Sequence, residues 1–114
     1  VFVDTEGIEG VQNCSISLHE AQKQYGAPLV VPEYPWEVNV YMYTSMIVVT
    51  EAERRVWDKD AVGGEIRLYY GCFSFESELP YVCVATSSDG VTFKKPLLPY
   101  FPWNGSLPTN RVWQ

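Results

Sequence analysis

The chain has 114 residues and a net charge of −6, with eight Tyr, five Phe and four Trp beside eight Pro and eight Gly. That length suits one small domain, able to bury roughly 65% of the surface its unfolded chain exposes. The charge lacks the basic stripe that nucleic acids or anionic membrane surfaces require, and the composition favours strands joined by tight turns over helices.

Residues 1–11 read as an extended arm with two glycines. Residues 13–25 (NCSISLHEAQKQY) alternate briefly at Cys14, Ile16 and Leu18, which fits a strand and a turn; a short helix over 18–24 is the competing reading. Three prolines in 27–35 (APLVVPEYP) exclude a helix or a central strand. Residues 38–50 (VNVYMYTSMIVVT) carry the strongest strand signal, with a bend expected near Thr44-Ser45. The charged stretch 51–60 predicts a loop or a single helical turn, and Gly63-Gly64 a turn.

Residues 65–75 (EIRLYYGCFSF) are the second strand and 81–87 (YVCVATS) the third. Asp89-Gly90 is a hairpin turn that needs a positive φ. A short fourth strand is expected over 91–93, an irregular Pro-rich stretch over 94–108, and a further strand from Asn110. The expectation is an all-β antiparallel meander of three or four strands at short spacing; a four-stranded antiparallel sheet is the unit of a propeller blade.

Cys14, Cys72 and Cys83 match no zinc or redox spacing. Cys72 and Cys83 sit in apolar runs, where buried free thiols are the expected state and a bridge between neighbouring strands is the alternative. Two sequons occur, Asn13-Cys14-Ser15 and Asn104-Gly105-Ser106. The triplet Val1–Val3 is too short for a signal peptide, and no apolar run approaches the roughly 20 residues of a membrane span. Both ends read as cuts in a longer chain. No pattern calls for a cofactor or a metal.

The stretch 81–96 (YVCVATSSDGVTFKKP) resembles the strand–turn–strand segment of five-bladed β-propeller glycoside hydrolases, of the arabinanase, levansucrase and invertase type. Ala85, Ser87, Asp89, Gly90, Phe93, Lys95 and Pro96 fill its pattern A-x-S-x-D-G-x-x-[WF]-x-K-P. Residues 27–37 (APLVVPEYPWE) resemble the lead-in to the first blade, and 100–113 (YFPWNGSLPTNRVW) a segment that follows it in the branch like glycosyl hydrolase family 32. A six-bladed, sialidase-like propeller is the second choice, because this chain has one residue fewer between Asp89 and Phe93 than that repeat requires.

The resemblance implies an arm over 1–25, then the first blade of an incomplete propeller and the start of the next over 26–114. It implies a fragment of a glycosidase-like protein that acts on or binds carbohydrate, and an extracellular habit. The alternative is a non-catalytic carbohydrate-binding or interaction module. Catalytic carboxylates of such enzymes come from several blades. The invertase-type W-x-N-D-P-N-G motif would fall near 40–45, where no Asp stands, so no catalytic residue carries over. A lone blade leaves both faces uncovered, which predicts self-association.

Trp36, Glu37 and Tyr43 are the candidate carbohydrate contacts: a ring stacks on a sugar face and a carboxylate accepts hydroxyl hydrogens. Against this, Trp36 can plug the core, Glu37 can be a solvated residue, and Tyr41 and Tyr43 can serve sheet packing. Asp89 is explained by its turn. His19, the one histidine, names no partners, and Asp58 and Asp60 fit a solvated loop better than a calcium loop.

Overall fold

The run over 38–50 folds as two short strands, β1 (Asn39–Tyr41) and β2 (Met46–Val49), in a computed structural model that describes residues 10, 12–13, 15, 17, 19–23, 26–41, 45–75 and 80–113. One helical turn, α1 (Glu51–Arg54), follows β2. Both strands pair antiparallel with β3 (Glu65–Phe73), Tyr41 opposite Gly71 and Met46 opposite Leu68. The pairing with β3 is therefore interrupted between Tyr41 and Met46. This interruption coincides with the bend expected at Thr44-Ser45. Ser45 accepts the Tyr69 N–H at 3.0 Å, and Thr44 lies outside the described residues.

α1 is held by a capping box. The Thr50 hydroxyl accepts the Glu53 N–H, and the Glu53 carboxylate accepts the Thr50 N–H at 2.7 Å. Gly63 has a φ of 73°, which turns the chain back toward β3. Gly64 is fixed by space: a Cβ there would meet the Val49 carbonyl oxygen at 2.5 Å. Because that neighbour is backbone, Gly64→Ala is expected to cost roughly 2 kcal/mol. A urea titration that leaves the midpoint in place would contradict this.

β4 (Tyr81–Ser87) pairs antiparallel with β3 along its length, over the residues that the sequence marks as a strand. Beyond it, Ser87 Oγ accepts the N–H groups of Asp89 and Gly90, and Asp89 Oδ1 accepts those of Val91 and Thr92. Gly90 has a φ of 76°, as the Asp-Gly turn requires. Backbone and Ser87 hydrogen bonds hold the Asp89 carboxyl down at about 2.

Residues 91–93 do not form the expected fourth strand. With the Val91 and Thr92 donors taken by Asp89, only Lys94 reaches β4, in a single bridge to Thr86. The rest of that edge is filled by β5 (Arg111–Trp113), with Trp113 opposite Val82. The strand from Asn110 thus joins this sheet. Between Lys94 and Asn110 the chain makes a nested hairpin, bridged at Leu98–Thr109 and Trp103–Ser106.

The described residues form one antiparallel sheet in the order β1/β2, β3, β4, β5, with α1 as its one α-helical turn. The protein is all-β. Among the described residues no helix is long and apolar enough to cross a membrane. The arm expected over 1–25 falls largely outside the described residues.

Paired residues share a sheet face. On one face Tyr70, Cys72, Tyr81, Cys83 and Ala85 form the core with Trp36, covered by Val30, Tyr34, Phe93 and Trp103. Cys72 and Cys83 are joined in a disulfide, so the expected free thiols are corrected to a bridge. The register explains it: Cys72 faces Tyr81 and Cys83 faces Tyr70, which makes the two cysteines diagonal neighbours on one face with Cα atoms 5.8 Å apart.

On the opposite face, α1 and Trp57 cover the end of β3. The Arg67 guanidinium lies 3.7 Å from the Trp57 ring centroid, donates to Glu65 at 2.9 Å and caps the Glu53 carbonyl at 3.1 Å.

Candidate functional site

The Trp36–Glu37 pair is enclosed by the chain. Glu37 is 0% exposed and Trp36 8%. Glu37 Oε1 accepts from the Tyr70 hydroxyl at 2.5 Å and the Asn110 amide at 3.0 Å. Its Oε2 accepts from Lys95 Nζ at 2.6 Å and from the backbone N–H groups of Glu33 and Tyr34. Trp36 Nε1 donates to Asn110 Oδ1 at 2.7 Å, and Lys95 also donates to the Val31 carbonyl. Tyr34 stacks on Trp36 with centroids 4.7 Å apart.

These contacts account for the electrostatics. Burial pushes the Glu37 carboxyl up, but the bonds from Lys95, Tyr70, the Glu33 N–H and Asn110 together outweigh it and hold the group below the usual carboxylate range. Burial, then the neighbouring Glu37 carboxylate, hold the Tyr70 phenol well above its ordinary value. The cluster has no open side for a ligand, and its chemistry is that of a satisfied buried ion pair. Tyr43, the third candidate, lies outside the described residues.

The remaining candidates lie at the surface. Asp89 is the turn residue described above. His19 is exposed. Asp58 and Asp60 are exposed, and Asp58 accepts the Asp60 N–H at 3.2 Å. Among the described residues no group of three or more His, Cys, Asp or Glu is placed to hold a metal.

An open concavity lies on the other face of the sheet. A cleft of about 420 Å³ runs between Trp57, Asp58 and Arg54 on one wall and Thr86, Lys94 and Leu98 on the other. It continues toward the Asp89 turn as a hollow of about 270 Å³ that shares Arg54, Glu65, Thr86 and Lys94. Strand pairing puts Thr86 and Lys94 side by side on this face, and the turn after α1 brings Trp57 across from them. The floor is held by ion pairs, since Glu65 meets both Arg67 and Arg54.

The cleft thus combines a half-buried indole with hydroxyl, ammonium and carboxylate groups at its rim. That composition suits a polyhydroxylated ligand, with one apolar face to cover and several hydroxyls to bond. The acids Asp58 and Asp89 are exposed, and Glu65 is tied up in ion pairs with Arg54 and Arg67.

Sequence reasoning missed Trp57, Thr86 and Lys94. Trp57 is the one aromatic residue in the charged stretch 51–60, and a large apolar ring in such a stretch is the signal that could have marked it. A third hollow, of about 690 Å³, lies toward the far end of the sheet over Tyr69, Pro80, Val82 and the exposed Trp113. Comparison with protein-family models, with curated proteins and with solved structures returns no match.

Proposed function

We propose that this chain is a blade unit of a β-propeller protein of the invertase and arabinanase kind, and that it binds carbohydrate without hydrolysing it. The blade reading is supported by the three resemblance segments meeting at one place. Lys95 from the strand–turn–strand pattern and Asn110 from the following segment both donate to Glu37 from the lead-in, in one buried cluster. Motifs that serve a common fold are expected to converge in this way. The uncovered apolar hollow at Tyr69, Val82 and Trp113 suits a neighbouring sheet, whether from another part of a longer protein or from a second copy. The buried disulfide suits the extracellular habit of the resembled group.

The observation that carries the binding reading is the Trp57 cleft. An aromatic platform flanked by Thr86, Lys94 and Asp58 can hold a sugar ring. Among the described residues, the buried Glu37 and the ion-paired Glu65 are not placed as an acid and base about that cleft.

The test is titration of the chain with fructo- and arabino-oligosaccharides, read by tryptophan fluorescence and calorimetry. The expected result is saturable binding that Trp57→Ala weakens at least tenfold, with no release of reducing ends. Binding unaffected by Trp57→Ala would move the site elsewhere. Release of reducing ends by the purified chain would overturn the non-hydrolytic reading.

A further inference from the structure

We propose that Asn104 is an N-glycosylation site, its side-chain nitrogen receiving an oligosaccharide in an oxidising secretory compartment. Asn104-Gly105-Ser106 has the acceptor spacing N-x-S with no proline in the middle. The fold presents it. Trp103 and Ser106 exchange both backbone hydrogen bonds, at 3.0 and 2.8 Å, so Asn104 and Gly105 are the two central residues of a tight hairpin. Their φ values of 46° and 76° are those of a primed turn, which asparagine followed by glycine adopts with least strain.

Asn104, Gly105 and Ser106 are all exposed. The base of the hairpin is anchored by Trp103, half-buried with its ring centroid 5.9 Å from that of Trp36. The acceptor therefore sits at the tip of an ordered projection, where a large glycan displaces none of the core.

The second observation is the Cys72–Cys83 disulfide, both sulfurs in fully buried residues. Such bridges form and persist in oxidising compartments, the same setting in which asparagine is glycosylated. The other sequon, at Asn13, has its middle residue outside the described residues and carries no part of this proposal.

The transfer balances simply. The Asn104 amide nitrogen attacks the anomeric carbon of a lipid-pyrophosphate-linked oligosaccharide, the donor of the secretory pathway. The new C–N bond forms as the bond to the pyrophosphate oxygen breaks. The pyrophosphate leaves with the electron pair, and the amide gives up one proton. The proposal is independent of the Trp57 cleft, since the glycan is attached by a host enzyme.

The experiment expresses the full chain behind a secretion signal in cultured eukaryotic cells. The expected product is secreted, contains the linked Cys72 and Cys83 peptides, and loses apparent mass on treatment with peptide-N-glycosidase, the Asn104 peptide then appearing as its aspartate form. Ser106→Ala should abolish the Asn104 modification while leaving the disulfide in place, because the hairpin bonds to Trp103 come from the Ser106 backbone. Secreted, disulfide-bonded protein with an unmodified Asn104 peptide would overturn the site. A chain that stays in the cell with reduced cysteines would overturn the compartment on which the site depends.

Discussion

Glu37→Ala is expected to lose most of the protein's stability. Removing one partner of a buried ion pair leaves an uncompensated charge and costs about 3–5 kcal/mol, against a total of about 5–15 kcal/mol for a typical domain. Here the orphan is Lys95, whose side chain is 4% exposed. The loss extends further, because Tyr70, Asn110 and the Glu33 and Tyr34 N–H groups all donate to the same carboxylate. Glu37→Gln keeps the shape and one acceptor oxygen and should cost less. The double variant Glu37→Ala/Lys95→Met removes both charges and should recover part of the loss, since replacing a buried pair by apolar groups is often neutral. Urea midpoints of the four proteins decide it. Equal midpoints for the single and the double variant would mean that the Lys95 charge is not what costs.

The same carboxylate gives a pH signature. Its folded-state pKa lies below the ordinary value. A depressed carboxylate contributes fully above its unfolded pKa, about 4.3 for Glu, and the contribution fades as pH falls through the folded value. Glu37→Gln should therefore flatten the acid limb of the stability profile as well as lower its plateau.

The sequence carries local facts well and distant ones poorly. The hydrophobic run over 81–87 and the turn at Asp89-Gly90 are legible because each is decided within a few residues. The interruption of 38–50 was legible for the same reason. Trp36 in the core is one of the two readings the sequence allows, but the burial of Glu37 beside it was not legible. Their neighbours suggest an exposed aromatic beside a carboxylate, yet burial is decided by Lys95 and Asn110, which lie 58 and 73 positions away along the chain. The missing strand over 91–93 has a subtler cause. Those residues have strand-forming side chains, but Asp89 takes their backbone donors first. Trp57 belongs to the same class as Glu37. Its role follows from α1 folding it over Arg67, and nothing within 51–60 announces that contact.

Replacing both Cys72 and Cys83 by alanine should be the second large loss. The bridge joins residues 11 positions apart, and a closed loop of that size removes chain entropy worth about 3 kcal/mol from the unfolded state. Native packing adds to this, since both residues are fully buried against Tyr70, Tyr81 and Trp36. The double variant should retain the sheet, because the β3–β4 ladder runs from Ile66–Ser87 to Cys72–Tyr81 without help from the bridge. Its urea midpoint should fall nonetheless. Because no solvent reaches either residue, the folded protein should resist a reductant that opens the bridge readily in denaturant. Peptide mapping separates the two states of the cysteines directly. A linked pair of peptides containing Cys72 and Cys83 fits the register, which brings diagonal neighbours within bonding distance. Two separately alkylated thiols, with a midpoint unchanged in the double variant, would return these residues to the role of small buried hydrophobes, and the oxidising compartment inferred from them would fall as well.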